Sequence, residues 1–469
     1  MEQLKKIGRI TPKRSLDIKE SKLGIGFEKL DRNVFDPEKA YDTLALVGVK
    51  WVRIQSGWQR TERVRGQYSF EWIDKVVDNL IARGMKPWIC LCYGNELYNE
   101  EAKEVFGATG IAPIFNDDQK LGWANYVKAT VEHFKDRVDH WEIWNEPDGK
   151  WCWKHGVSGT EYGHFCVDTA AAIRAADPDA TIIGGAVCSP GNLAYINEAL
   201  AAGMGDVIDA FSFHEYTPDE SRLFEHIPAL RALLASYNPK IKVIQGESGS
   251  QSRSDGCGAL RGGAWTPERQ AKQCVRHAIA DLITDVEFTS YFSCMDMIEA
   301  LNGKVGDLNS YLDYGYFGIL GADFDENGFA SGEYTPKPSY YAYQNVCSVF
   351  AEGAVPCDLP ILRSVLPSKR LIGSDYGGNL IYKGFRKPNG ATALAYWNST
   401  PLLTTTFEST VSFRATNIKG EIHLVDLLYG DIYEIPADMI EDSGFGTVTI
   451  KNIPVTDYPL LLTFGEFAK

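Results

Sequence analysis

Residues 138–176 read VDHWEIWNEPDGKWCWKHGVSGTEYGHFCVDTAAAIRAA, and DPDATIIGGAV follows at 177–187. A strand-like apolar run ends in Asn145, Glu146 and Pro147. A loop leads into a helix-like segment, and a second apolar run follows. The unit is strand, helix, strand, which needs a crossover and so implies a parallel pair. Working outward, the same rhythm recurs on both sides. LGIGF (23–27), WVRIQ (51–55) and KPWICLCYG (86–94) come before it. VIDAFSFHEY (207–216), KVIQGES (242–248) and FTSYFSCM (288–295) come after TIIGGAV (181–187). The intervening segments carry apolar residues at helical spacing, as in Ile73, Val76, Val77, Leu80 and Ile81. Eight strand candidates, each followed by a helix, predict a closed (β/α)8 TIM barrel. The competing open, doubly wound sheet would carry a glycine-rich phosphate fingerprint after its first strand, and none is present.

After about residue 350 the rhythm changes. LIYKGFR, ATALAYW, TVSFRA, EIHLVDLL, TVTIKNI and PLLLTFG are short alternating runs, with PNG (388–390) and YGD (429–431) as turns. This predicts a C-terminal antiparallel β-sandwich. The expected division is 1–22 as an N-terminal segment that can add a strand to the sandwich, 23–348 as the barrel and 349–469 as the accessory domain. The accessory domain is read as a brace for the barrel, because a fold alone does not establish sugar binding.

The whole chain has 469 residues, enough for a large barrel plus a second domain. Its formal net charge is −15, which argues against a dedicated binder of nucleic acid or of anionic membranes. No apolar run approaches the ~20 residues of a membrane span. The N-terminus, MEQLKKIGRITPKRSLDIKESK, lacks the apolar core of a signal peptide, so a cytoplasmic protein is expected. The ten cysteines form no CxxC pair and read as reduced thiols. No histidine cluster has zinc spacing. DFDENG (323–328) opens like a calcium loop, but Tyr334 stands where the twelfth-position Glu belongs, so it reads as a turn. Neither metal nor cofactor is expected. The sequence leaves monomer and homo-oligomer open.

Barrels of this kind place their chemistry where strands end. The fourth run ends in Asn145 and Glu146, and the seventh in Gly246, Glu247 and Ser248. Two carboxylates facing each other across the mouth are what glycosidic cleavage requires: one protonates the departing oxygen, the other attacks the anomeric carbon or activates water. A separation of ~5–5.5 Å gives retention and ~6.5–9.5 Å gives inversion.

WEIWNEP (141–147) together with the strand-end Glu247 resembles clan A of the glycoside hydrolases. ERVRGQYSFEWID (62–74), FSFHEY (211–216) and KPSYYAYQ (337–344) make the likeness greatest to family 39, which contains β-xylosidases and α-L-iduronidases. The resemblance covers roughly residues 20–345 and implies a retaining enzyme. It implies Glu146 as general acid/base and Glu247 as nucleophile. Arg53 and Tyr216 match positions that hold the nucleophile, and Asn145 matches the donor to the sugar 2-hydroxyl. His214 matches a family histidine that is either structural or a sugar-binding donor.

Other strand-end residues are candidate sugar contacts: Glu28, Gln55, Trp58, Tyr93, Asn95, Glu96, Trp151 and Trp153. Aromatic rings can stack on a sugar face, although core packing is the commoner fate of Trp. Of these, Trp58, Glu28, Trp151 and Tyr93 are taken as substrate-binding. Lys29, Lys154 and Arg261 could meet a uronate, but a solvated face is the preferred reading. Segments 94–120 and 249–266 are expected to wall the pocket, the second as a mobile lid. The expected function is an exo-acting glycosidase on short oligosaccharides, β-xylosides first, with a carbohydrate substrate as its partner. An endo-acting glycanase and a non-catalytic sugar-binding protein on the same scaffold are the alternatives.

Overall fold

The structure is a computed structural model that describes residues 1, 4–103, 108–298, 314–364, 379–402 and 409–468. The first strand, β1 (Lys5–Arg9), lies outside the barrel. The apolar runs then become β2 (Leu23–Gly26), β3 (Trp51–Gln55), β4 (Lys86–Leu91), β5 (His140–Ile143), β6 (Thr181–Val187), β7 (Ala210–His214), β8 (Lys242–Ser248) and β9 (Thr289–Tyr291). All eight are parallel, and β9 closes the barrel on β2 through Ile25 and Tyr291. The expected barrel and the additional antiparallel sheet domain are both present. The eighth run, read as 288–295, is a strand only to Tyr291. Beyond it Cys294 N–H donates to Gly26 O and Ile319 N–H to Ser293 O, so the chain leaves the barrel direction.

Among the described residues, eight helices of seven or more residues flank the strands: α1 (Tyr41–Val47), α2 (Glu71–Ala82), α3 (Asp117–Phe134), α4 (Gly159–Ala176), α5 (Leu193–Ala199), α6 (Ser221–Tyr237), α7 (Pro267–Ile283) and α8 (Pro338–Val349). α2 buries Ile73, Val76, Val77 and Leu80, while Ile81 faces outward. Side chains of Asn116, Ser158 and Thr266 cap α3, α4 and α7 by accepting from the third following N–H, which satisfies donors the helix leaves open. The closed end of the barrel is filled by Trp88, Ile183, Ala210, Ile244 and Phe288. That apolar layer is the floor on which the polar interior rests.

β1 joins a seven-stranded sheet through Asp431–Glu434. A four-stranded sheet built on Ser409–Thr416 and Thr447–Val455 faces it. Tyr396 of the larger sheet packs edge-on against Phe413 of the smaller at 5.2 Å and donates to Pro454 O. The barrel and the sheets meet at α7, which is buried on nearly every side. Burial of charge is tolerable only with partners. Lys272 pairs with Asp457 at 3.1 Å, and Arg276 pairs with Glu220 at 2.7 Å while donating to Thr400 O. Trp397 donates to the other oxygen of Glu220. α8 packs beside α7, where Ser339 donates to Gln270, and its Tyr343 donates to Gly24 O and Tyr340 to Thr43 O.

The DFDENG segment forms a hairpin turn between Leu320–Phe324 and Ala330–Pro336, with Asp325 accepting from Asn327 and Phe329 N–H. All ten cysteines are free thiols. No helix among the described residues is long and apolar enough to cross a membrane.

One buried pair on α7 makes stability depend on pH. Asp281 accepts from Thr289 Oγ1 at 2.6 Å, and His277 Nε2 lies 3.8 Å from its other oxygen. Burial pushes the Asp281 carboxyl up to about 8 and the His277 imidazole down to about 4, so the pair is neutral between. An unfolded Asp releases its proton near pH ~3.9. Between pH 6.5 and 8 the folded state therefore holds a proton that the unfolded state lacks, and stability falls as pH rises. Asp281→Asn removes this term. Its unfolding free energy, read by urea titration, should fall less than that of the native protein between pH 6.5 and 8, the difference amounting to up to about 2 kcal/mol. Parallel falls in both proteins would refute the neutral Asp281.

Candidate active site

The strand ends converge on Arg53. Its side chain points inward from β3 and is fully buried over the Trp88 ring, 5.4 Å from the centroid. Nε and Nη2 contact Glu142 Oε2 at 2.7 and 2.5 Å. Nη1 donates to Glu247 Oε1 at 2.5 Å and to Glu28 Oε1 at 3.1 Å. Nη2 also donates to Asn145 Oδ1 at 2.8 Å. One planar fork thus reaches groups at the ends of β2, β5 and β8 together.

Local backbone features aim the two carboxylates. Trp144 and Glu146 both have positive φ, 67° and 44°, which side chains rarely adopt. The turn is held by Trp144 N–H to Leu91 O and Glu146 N–H to Ala186 O. Tyr162 on α4 braces it from outside, donating to Ile143 O and accepting from Gly185 N–H. A bulge in β8 shifts the pairing so that His214 lies beside Glu247. Gly246 sits at this bulge, where a Cβ would meet Ser212 Oγ at 2.3 Å, so a larger residue would have to displace the Ser212 hydroxyl. Gln245, with its amide oxygen turned to His277, donates to Phe213 O and Glu247 O at 2.7 Å.

The two carboxylates have different surroundings. Glu247 Oε2 accepts from the Tyr216 hydroxyl at 2.7 Å and lies 3.5 Å from His214 Nδ1. Burial would raise its carboxyl, but His214, Arg53, the Tyr216 hydroxyl and Lys29 outweigh that and hold it below its ordinary value. Glu146 is the more exposed of the two. Its Oε1 lies 3.1 Å from the same His214 nitrogen, and Trp151 Nε1 donates to Oε2. Burial alone would lower the His214 imidazole, yet the charge of Glu247 and the bond to Glu146 raise it. An oxygen of Glu146, a nitrogen of His214 and an oxygen of Glu247 all lie within 4.8 Å of one another. Such spacing can hold a metal ion. Here each of the four carboxylate oxygens already has a hydrogen-bond partner and Arg53 supplies positive charge, which disfavours a cation.

These groups open onto a cavity of about 400 Å³. Glu28, Gln55, Tyr93, Asn145, Glu146, Trp151, Tyr216 and Glu247 line it. Arg53 and His214 lie behind the lining. Trp58 does not reach the cavity, contrary to the sequence expectation. After β3 the chain turns at Gly57 (φ 59°), and the indole packs among Tyr98, Trp123 and Tyr126 with Nε1 donating to Glu62. Trp153 is likewise buried, against Trp144, Tyr162 and Phe165. Asn95 donates to Glu62 O as a loop brace, and Glu96 is exposed. Lys29 and Arg261 do line the cavity, whereas Lys154 does not. The segment expected as a mobile lid, 249–266, is pinned by Gln251 to Cys257 O, Ala259 O and Tyr316 N–H.

Glu142, Arg32, Glu215, Cys188, Phe292 and Phe317 belong to the site or its wall and were not anticipated. Glu142 carried a readable signal: an acidic residue inside an apolar barrel strand needs an inward cation, and Arg53 is such a cation two strands away. The phenylalanines gave none, because irregular chain brings them in.

A closed parallel barrel with carboxylates from its fourth and seventh strands facing across the mouth is the arrangement that glycosidic cleavage can use. Residues 43–235, which run from α1 to α6 of the barrel, match the model of glycosyl hydrolases family 39. The matched segment contains Arg53, Asn145, Glu146, His214 and Tyr216 but stops before Glu247, which the geometry adds. Among relatives, a beta-xylosidase of Geobacillus stearothermophilus is 30% identical over 159 residues, 32% of this chain and 31% of that protein. An endo-1,4-beta-xylanase A of Phanerodontia chrysosporium is 30% identical over 132 residues, 27% of this chain and 29% of that protein. The matches thus span about a third of these relatives' length. A family 39 glycoside hydrolase of Bacteroides cellulosilyticus WH2 has a similar structure, with TM-score 0.64 and 18% identity over 94% of this chain and 80% of that one. A monomeric beta-xylosidase of Caulobacter crescentus CB15 gives TM-score 0.60 and 16% identity over 98% of both chains. At such identities the structures show a shared fold.

Arg53→Met tests the centre of the site. Removing one partner of a buried ion network typically destabilises by about 3–5 kcal/mol. A fall of that order in unfolding free energy is expected from urea titration; unchanged stability would show that the three carboxylates do not depend on the guanidinium.

Proposed function

We propose that the protein is a retaining glycoside hydrolase acting from the chain end on short oligosaccharides, with β-xylosides as first candidates. The observation that carries this is the approach of Glu146 and Glu247 oxygens to within 4.8 Å in unlike surroundings. That closeness favours the ~5–5.5 Å class of retaining sites over the ~6.5–9.5 Å class, in which a water stands between the carboxyl groups.

Glu247 is held ionised and would attack the anomeric carbon. The bond to the leaving oxygen breaks, its electron pair staying on that oxygen, which takes the proton of Glu146. Glu146, now ionised, removes a proton from water, whose oxygen attacks the anomeric carbon and displaces Glu247 as carboxylate. Asn145, fixed by Arg53, would hold the 2-hydroxyl, and Trp151 and His214 would fix the two oxygens of Glu146. The cavity walls supplied by Thr109, Gly258, Ala259, Phe292 and Phe317 support a pocket for a terminal sugar over an open groove. The beta-xylosidase and xylanase names of the relatives support xylose as the sugar.

Nitrophenol release from β-xyloside, α-L-arabinoside, β-glucoside, β-galactoside and β-glucuronide tests this beside Glu247→Ala. The native protein should act on at least one and the variant on none. Activity surviving in Glu247→Ala would overturn the nucleophile, and an initially inverted product in proton NMR would overturn retention. Release only from internal linkages of oligosaccharides would favour an endo-acting enzyme. Tyr216→Phe should lower kcat/KM by about 10–100-fold, since a hydrogen bond to a charged group contributes about 1.5–3 kcal/mol. It should also move the acid limb of the pH profile upward, because Glu247 loses a donor to its ionised form.

A further inference from the structure

Resting on the reading of Glu247 as nucleophile, we propose that Glu28 is a protonated carboxyl group standing beside that nucleophile, and that its ionisation sets the alkaline limit of turnover on nitrophenyl glycosides, whose leaving group departs without the proton of Glu146. The argument begins with charge. Three carboxylates, Glu28, Glu142 and Glu247, contact one guanidinium, and all are buried. Three adjacent anions on one cation in a low-dielectric interior are costly, and proton uptake by one of them relieves the crowding.

Hydrogen-bond geometry selects which carboxylate takes the proton. Glu247 has close donors on both oxygens, Arg53 at 2.5 Å and Tyr216 at 2.7 Å. Glu142 receives two close contacts from Arg53, at 2.7 and 2.5 Å. Glu28 has a single, longer contact at 3.1 Å, to the Nη1 that already serves Glu247. Its charge is the least supported of the three. Gly26 leaves space for this carboxyl, since a Cβ there would lie 2.9 Å from Glu28 Oε1. Among the described residues, the charged and titratable groups facing Glu28 are Arg53 from β3, Glu247 from β8, and His214 and Tyr216 at the end of β7; Lys29 is its chain neighbour, and Glu142 of β5 acts through Arg53. Burial, then the charge of Glu247, outweighs Arg53 and pushes the Glu28 carboxyl up to about 8.

The chemical consequence follows from position. Glu28 lines the cavity, so while protonated it offers a sugar an O–H donor. Losing the proton removes that donor and leaves two anions competing for one N–H group, which loosens the hold on Glu247. In this scheme Glu28 both faces the sugar and positions Glu247, and Gln is its neutral analogue.

The test is the pH profile of kcat/KM on the active aryl glycoside for the native protein, Glu28→Gln and Glu28→Asp. Native kcat/KM should fall about tenfold between pH 7 and 9, as a single ionisation near 8 requires. In Glu28→Gln the fall should shrink to under threefold, and Glu28→Asp should restore an alkaline limb. An unmoved limb in Glu28→Gln would overturn the proposal. The infrared carbonyl band of a protonated carboxyl, read as native minus variant, gives a measurement that needs no turnover. It should appear at pH 6 in the native spectrum minus that of Glu28→Gln and vanish by pH 10, and the subtraction cancels the other buried acids, Asp281 on α7 and Asp426 in the strand Ile422–Asp426 of the larger sheet. Glu142 is the competitor, because its Oε1 is buried without a partner. A band lost in Glu142→Gln and kept in Glu28→Gln would assign the proton there and overturn the proposal. If no glycoside is cleaved, the functional reading fails while the band still reports the proton on Glu28.

Discussion

A single guanidinium organises the open end of the barrel. Arg53 lies between an aromatic floor, Trp88, and three carboxylates from separate strand ends. Its fixed fork sets the distances between elements that share no backbone hydrogen bond. A lysine, with one compact charge, could not serve Glu142, Glu247 and Asn145 in defined directions at once. Glu142 has no exposure to the cavity and touches no substrate position. Its role is to orient the fork, so that the remaining N–H groups point to Asn145 and Glu247.

The carboxylates are then aimed by backbone departures from regular strand geometry. Glu146 follows β5 through two positive-φ residues, and Glu247 is turned within β8 by a bulge at Gly246. Strained positions persist where surrounding bonds fix them. Leu91 O, Ala186 O and the Tyr162 hydroxyl supply those bonds. The result is one histidine nitrogen, 3.1 Å from one carboxylate and 3.5 Å from the other, between groups some hundred residues apart. The proximity that matters chemically is produced by turns and bulges, while the barrel supplies rigid points of departure.

The antiparallel sheets connect to this centre through α7. That helix buries Lys272, Arg276, His277 and Asp281, residue types that rarely lie fully inside a protein without partners. Two of them take their partners from the sheet domain, as Asp457, Thr400 O and the Trp397–Glu220 link. Gln273, on the same helix, donates to Thr217 O just beyond Tyr216. The accessory sheets therefore cover a polar helix whose inner face supports the loop that carries the donor to Glu247.

The sequence by itself determined the barrel, because alternating apolar runs and amphipathic segments have few ways to bury their surfaces, and eight such units close. It also determined which strand ends bear carboxylates, since a charged residue terminating an apolar run has to sit at the mouth. It did not determine which aromatic residues face the cavity. Trp58 and Trp151 both follow a strand end by a few residues, yet one is core and the other donates to Glu146. The difference is made at Gly57, whose backbone turns Trp58 toward α3, and a turn of that kind has no period to read. Glu142 and Glu28 were visible as residues, but their common cation was not, because contact across a barrel depends on register and side-chain direction. Only the tertiary structure decided the separation of the two carboxylates, the position of His214 between them, and the crowding of three acids around Arg53. These are distances between strands, and they exist only once the sheet has closed.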